Sequence, residues 1–364
     1  MTQRCVLCVA IMAWVVVVAR VACAQESKPQ APDTAAATAN PSPWLLVPLV
    51  SSSPKLGTSG GALAAYLTKF DPDSRVSLFG ALYQYTSTHS SIGSLFARTS
   101  FGADHHRIVA IAALGLIKND YQDYLGTGQP LKTDDDLKAV AARYLYRIRG
   151  DWLVGVQGNA ANYQVLGATP EDDLVLETLG VRGFSSTALG AAVMHDSRDN
   201  EDMPSHGWYM NLNNLAYREA LGGAESFDAY RADFKAFLPH GRRHVLAIRQ
   251  YNWLTDNAPA AGQATILLRG YKLGQYLAQH MSSLEVEERV SLGRRWGATL
   301  FVGAAGLYGT ATIPLDRQIY PTWGGGLHFV IKPAQRMVAN LEYAQGVHFF
   351  PTRRSSDLDR KSVV

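Results

Sequence analysis

Few residues in this 364-residue chain are spaced for chemistry. Histidine stands beside another titratable group at His105-His106 and His195-Asp196, with His206 close by. A hydrolytic centre needs nucleophile, base and orienting acid within hydrogen-bond reach. No Gly-x-Ser-x-Gly elbow accompanies these histidines. Asp134-Asp135-Asp136 offers carboxylates of the type that hold Ca²⁺, but such a run more often forms a solvated face. The three cysteines, Cys5, Cys8 and Cys23, all lie near the N-terminus. If that segment is removed, the mature chain has no thiol for catalysis, metal binding or a disulfide. The expectation is therefore a protein with no catalytic residue, no cofactor and no metal, and not an enzyme. One stretch stands apart: Leu268-Arg269-Gly270-Tyr271-Lys272-Leu273-Gly274-Gln275-Tyr276. It is too polar and glycine-rich for a strand. It carries one arginine next to a glycine that permits positive φ or close backbone approach.

The elements that must position such a loop are read from composition and period. Net charge is only +3, too small to argue for nucleic acid. Residues are 47% hydrophobic, yet no stretch beyond the N-terminus reaches the ~18 apolar residues of a spanning helix. A lipid-embedded protein of this kind must be a β-barrel, whose strands show lipid only every second residue. Residues 1–24 read as a signal peptide: Arg4, an apolar run over 6–19, then Ala22-Cys23-Ala24 as the cleavage site before Gln25. Residues 25–43 are mostly Ala, Pro and Thr and read as a disordered linker.

From Trp44 to about residue 350, fifteen runs of alternating character follow one another. In 137–149, Val140, Ala142, Tyr144, Tyr146 and Ile148 share a face opposite Arg143, Arg147 and Arg149. In 227–238, Tyr230, Ala232, Phe234, Ala236 and Leu238 oppose Arg231, Asp233 and Lys235. In 282–292, Leu284, Val286, Val290 and Leu292 oppose Glu285, Glu287 and Arg289. Glu288 breaks that pattern, which predicts a place at a membrane rim or a slip in register. Most of the runs are ~10–13 residues long, the span needed to cross a bilayer at a tilt. Short and long connections alternate, as they do between the two ends of an outer-membrane barrel. Residues 119–136, 166–186, 255–281 and 309–321 are the long ones. Trp44, Trp152, Trp208, Trp253, Trp296 and Trp323 fall near strand ends, as interface girdles do.

The fold class read here is all-β: a transmembrane antiparallel barrel of about sixteen strands when complete, with about fifteen present. Single-chain bacterial barrels have even strand numbers. Residues 351–364 do not alternate, and Asp359 to Val364 is what GATCGGAAGAGCGTCGTG encodes. This tail resembles translated sequencing-adapter read-through. The expectation is that it replaces a last strand ending in an aromatic residue.

Two motifs resemble the BamA/TamA superfamily of outer-membrane barrels (the bacterial surface antigen family). The first is Arg269-Gly270-Tyr271, in the long connection between the eleventh and twelfth runs, with Glu287-Glu288-Arg289 following. The second is Asp196-Ser197-Arg198-Asp199-Asn200 with Pro204 and Gly207, an unusually long link in a turn position. The resemblance covers about Trp44 to Phe350. It implies that the loop folds into the barrel, that Arg269 docks on Glu287 or Glu285 of the wall, and that Tyr271 packs inside. The family's next acidic position is matched here by Gly303 or Ala304, so a second acidic partner is not provided there. It further implies residence in the bacterial outer membrane and assembly or translocation of polypeptide, or lipid. Expected partners are outer-membrane lipid, client outer-membrane proteins and a separate periplasmic POTRA-type chain, since no room is left for POTRA domains before Trp44. The competing reading is a passive pore or structural barrel without insertase activity.

Overall fold

The computed structural model describes residues 43–53, 57–121, 131–178, 185–200, 203–260, 262–271, 273–311, 318–332, 337–346 and 362–363. The signal peptide, nearly all of the linker and most of the adapter-like tail lie outside the described residues.

The chain runs through β1 (Trp44–Ser53), β2 (Gly57–Thr68), β3 (Ser77–Thr86), β4 (Ser91–Phe101), β5 (His106–Tyr121), β6 (Leu131–Arg149) and β7 (Trp152–Gly167). After helix α1 (Pro170–Thr178) come β8 (Ser185–Asp196), β9 (Gly207–Tyr217), β10 (Phe227–His240) and β11 (His244–Asp256). Two short strands, β12 (Ala264–Thr265) and β13 (Leu277–Ala278), pair only with each other. The large sheet resumes with β14 (His280–Ser291), β15 (Trp296–Tyr308), β16 (Ile319–Lys332) and β17 (Met337–Gln345). Each long strand pairs antiparallel with its sequence neighbour, β11 passing directly to β14. Fifteen long strands therefore form one meander. Ser362–Val363 adds a two-residue β18 against Tyr343 and Ala344 of β17. Among the described residues no ladder joins β1 to the other end of the sheet.

The alternation decides which face is which. Leu46, Val50, Leu95, Val140, Val156, Leu189, Leu284, Leu300, Val302 and Leu341 are all exposed. Water would penalise such a belt of aliphatics; hydrocarbon would not. Leu300 and Val302 are 70% and 60% exposed, while Phe301 between them is 2% exposed. The opposite face turns inward. Ile92 of β4, Leu137 of β6, Tyr163 of β7, Trp253 of β11, Leu307 of β15 and Tyr320 of β16 meet in one buried cluster. Strands so far apart in the meander share a core only if the sheet curls around it.

Three expectations change in the structure. Residues 119–136 are not all loop: β5 continues to Tyr121 and β6 starts at Leu131, with Asn119 opposite Thr133. The Asp run is therefore strand rather than loop: Asp134 and Asp136 stay part-exposed, while Asp135 turns inward. Asp135 is fully buried and accepts hydrogen bonds from Tyr163 Oη and Asn119 Nδ2. Asp134 and Asp136 pair with Lys118 (3.3 Å) and Lys138 (2.9 Å). Residues 166–186 hold α1, whose start is capped by the Thr169 hydroxyl. Thr169 Oγ1 accepts from Asp172 N at 3.2 Å and donates to Asp172 Oδ2 at 2.8 Å, with Pro170 at the first helical position. Leu176 drops from this helix into the buried cluster. Finally, Trp253 is no girdle residue. It is 2% exposed, on the inward face beneath the Arg231 guanidinium, 4.5 Å from Cζ to ring.

Candidate functional site: the inward loop and its arginine

Because Leu254 of β11 pairs with His280 of β14, residues between them leave and rejoin the sheet at nearly the same point. Such a loop must stand clear of the barrel or fold into it. Its composition decides: Ala264, Thr265, Ile266, Leu268, Tyr271, Tyr276, Leu277 and Ala278 are all buried. All of them but Thr265 share a cluster with inward residues of β4, β6, β7, β14, β15 and β16. The β12–β13 hairpin supplies the loop's own backbone pairing, and Gly274 N donates to Thr265 Oγ1 at 3.0 Å. The long-loop end of the lumen is thus filled by apolar side chains.

Arg269 lies at the deep end of this loop. Its Nη2 donates to Glu285 Oε1 (2.6 Å) and Glu287 Oε2 (2.7 Å), and its Nε to Glu285 Oε2 (3.2 Å). Nη1 donates to Glu342 Oε2 at 3.2 Å, from β17. The guanidinium plane sits on the Phe301 ring, Cζ 3.4 Å from the centroid. Three carboxylates and one aromatic face thus hold a single cation. Glu285 lies five residues into β14 from His280, so at ~3.4 Å per residue the arginine sits roughly 17 Å along the strand. A forked, planar group suits this position because it can bond several carboxylates and stack at once.

The backbone around Arg269 is fixed as well. Thr322 Oγ1 donates to Arg269 O at 2.7 Å, and Tyr271 Oη to Pro321 O at 2.5 Å. Gly270 has φ +87°, and a Cβ there would stand 3.0 Å from the backbone of Gln345 and Gly346. The loop therefore lies against β16 and the end of β17. Gly324 of β16 leaves room for Phe301, whose Cζ would come 2.4 Å from a Cβ at that position.

Glu342 and Phe301 were not singled out from sequence. Glu342 alternates inward between outward Leu341 and its neighbours on β17, but a lone inward Glu names no partner until the barrel brings β17 near β14. Phe301 occupies an inward position on β15, two and three residues before Gly303 and Ala304. Gly303 and Ala304 have no carboxylate to offer Arg269, and Glu342 supplies a further acidic partner from β17 instead.

The carboxylates belong to a longer polar row on the wall. Asp233 of β10 receives Arg249 Nε at 3.0 Å and Lys235 at 3.2 Å, and Arg249 lies opposite Glu285 in register. Glu287 also receives Arg289 Nε at 2.5 Å. Arg289 Nη1 reaches Pro204 O at 3.5 Å. That carbonyl belongs to the second motif, at the opposite end of the barrel.

There, Asp196 holds Arg198 through two bonds (2.7 and 2.9 Å), and Arg198 stacks over Tyr209. Asp199 Oδ1 accepts from Ser205 N (2.8 Å) and His206 N (3.1 Å), and Oδ2 from Ser205 Oγ (2.6 Å). Asn200 Oδ1 accepts from Met203 N at 2.7 Å. Gly207 has φ +96°, and a Cβ there would lie 2.3 Å from Ser197 O. Asp196, Asp199 and Asn200 thus tie the turn to itself, which makes a long link compact.

His206 Nδ1 lies 3.4 Å from Ser205 Oγ and 3.7 Å from Asp199 Oδ2, within the 195–207 turn that Asp199 holds together. His195 stacks on Trp208 at 3.8 Å, and its neighbour Asp196 is committed to Arg198. His106 bonds Tyr144 Oη at 2.8 Å, and His105 lies 3.0 Å from Gly102 O.

No family model and no curated protein matches the chain by sequence. Solved structures do. BamA from Haemophilus ducreyi lacking POTRA domains 1–3 superposes with TM-score 0.60 at 10% identity, over 88% of this chain and 69% of that one. The fold is that of a BamA-like barrel. CdiB from Acinetobacter baumannii (TM-score 0.57, 10% identity) and from Escherichia coli (0.57, 12%) are matched over 88% and 85% of this chain. The chain spans 58% and 60% of those CdiB structures. At such identity the BamA-like architecture is shared while most side chains are not, so the site rests on this chain's own geometry.

Proposed function

We propose that this chain is a bacterial outer-membrane barrel that assembles or translocates polypeptide, or lipid, at that membrane. The observation carrying the reading is the inward β11–β14 loop, pinned by Arg269 to carboxylates of β14 and β17 inside a BamA-like fold. A loop that fills one end of the lumen and contacts the end of β17 ties lumen closure to the last long strand. Outside the two residues that β18 pairs, a strand at that edge offers N–H and C=O groups to an incoming strand, so client segments can pair there. Arg269, Gly270, Tyr271, Glu285 and Glu287 act as the loop's lock. Asp196, Arg198, Asp199, Asn200, Pro204 and Gly207 hold the turn at the periplasmic end. In this reading the partners are outer-membrane lipid, unfolded client barrels and a separate periplasmic POTRA-type chain that delivers them. No catalytic step, cofactor or metal takes part in this activity.

The competing reading is a passive pore or structural barrel. The apolar filling of the long-loop end argues against an open channel. Proteoliposomes separate the two. With the chain reconstituted, an unfolded client barrel added from outside is expected to fold several-fold faster than in empty vesicles, with little dye release. Dye release without faster client folding would instead identify a pore.

A further inference from the structure

Glu288 is the charged residue on the apolar side of β14, and its register does not slip. It stands opposite Leu246 of β11 and Leu300 of β15, both on the outward face. A carboxylate there is costly unless it lies at a rim and is compensated. Compensation comes from the β10–β11 turn. His240 and His244 face each other in register across Gly241, and both rings reach Glu288. His240 Nε2 lies 2.9 Å from Glu288 Oε2, and His244 Nδ1 lies 2.8 Å from Oε1. Among the described residues this is the one group of three such side chains whose ligand atoms converge, all within 4.8 Å of one another.

Two imidazole nitrogens and a carboxylate are the donor set of a late first-row divalent cation, and two-His-one-Glu is a common zinc set. Such ions take nitrogen at ~2.0–2.1 Å and carboxylate oxygen at ~2.0–2.2 Å, so tetrahedral donors sit about 3.3 Å apart. The donor atoms already lie within 4.8 Å of one another, so reaching that spacing asks for movements of roughly 1.5 Å at the side-chain ends. An ion would replace the protons the imidazoles share with Glu288 and leave a fourth position for water. Arg242 and Arg243, exposed in the same turn, oppose a cation and keep the affinity moderate.

We propose that His240 Nε2, His244 Nδ1 and the Glu288 carboxylate form a binding site for a Zn²⁺-class cation at the short-turn end of the barrel. The ion would tie the β10–β11 turn to β14, outside the lumen and independent of the Arg269 loop.

The test uses tag-free protein folded in detergent micelles, with Co²⁺ as the spectroscopic probe. One Co²⁺ per chain is expected, with visible ligand-field absorption that Zn²⁺ abolishes. His244→Ala and Glu288→Gln, each checked for folding by heat-modifiable gel mobility, should weaken uptake at least ~10-fold. Wild-type protein that takes up neither ion at about 100 µM would overturn the proposal. So would uptake that persists undiminished when both residues are replaced, because other histidines would then be the ligands.

Discussion

Arg269 is placed so that no other residue type can do its work. It bonds Glu285, Glu287 and Glu342 and stacks on Phe301 at the same time. Removing it leaves three carboxylates facing one another in a largely desolvated place, a loss of about 3 kcal/mol by analogy with broken buried pairs. Arg269→Ala should free the loop, seen as faster protease cleavage between residues 257 and 279 and as higher single-channel conductance. Arg269→Lys should fall between wild type and Ala, since an ammonium cannot span the carboxylates and stack together. Asp104, in the β4–β5 turn, gives a second prediction. Burial pushes its carboxyl up, but the Arg107 hydrogen bond and charge, Ser100 and the Arg75 charge outweigh this and hold it at about 2. Arg147 Nη2 also lies 2.6 Å from Asp104 Oδ2. The ordinary value is 3.8. A carboxylate depressed in the folded state stabilises the fold fully above the unfolded value. That stabilisation is lost as pH falls from near 4 toward 2. Acid titration of unfolding should therefore show a drop in that window that Asp104→Asn flattens. Glu285 and Glu287 were legible as inward carboxylates near the arginine. Glu342 and Phe301 were not, because which distant strands meet across a lumen depends on closure, and alternation along one strand carries no record of it.

At the scale of elements, alternation located all fifteen long strands, because a wall with water on one side and hydrocarbon on the other imposes period two along its full height. Boundaries failed where local preference opposed the wall. Asp is disfavoured in strands, so Asp134 to Asp136 read as loop, yet Lys118, Lys138 and Tyr163 satisfy them inside the β5–β6 ladder. Helix α1 was missed although Thr169-Pro170-Glu171-Asp172 carries its start signal. Its nine residues are too short for periodicity to show. The 195–207 turn makes a testable case. Asp199 satisfies two backbone N–H groups and one hydroxyl. Asp199→Ala should cost ~1–3 kcal/mol locally, read as faster amide exchange at Ser205 and His206. Through the Pro204 O–Arg289–Glu287 contacts, the same change should also loosen the Arg269 loop slightly. Amide exchange at Tyr271 measures that coupling.

On the scale of the whole molecule, the account requires that the aliphatic face of this meander be the outside. The alternative is a soluble sandwich burying the same residues against each other. β15 discriminates, because Leu300 and Val302 point one way and Thr299 and Phe301 the other. The cysteines all lie at positions 5, 8 and 23, so a chain beginning at Gln25 is free of them and can be labelled singly. The decisive measurement is lipid-phase quenching of a fluorophore attached to Leu300→Cys, Val302→Cys, Thr299→Cys or Phe301→Cys in vesicles. Strong quenching at 300 and 302 with little at 299 and 301 is the predicted result. Equal quenching at all four, or none at 300 and 302, would contradict a membrane barrel with a filled lumen.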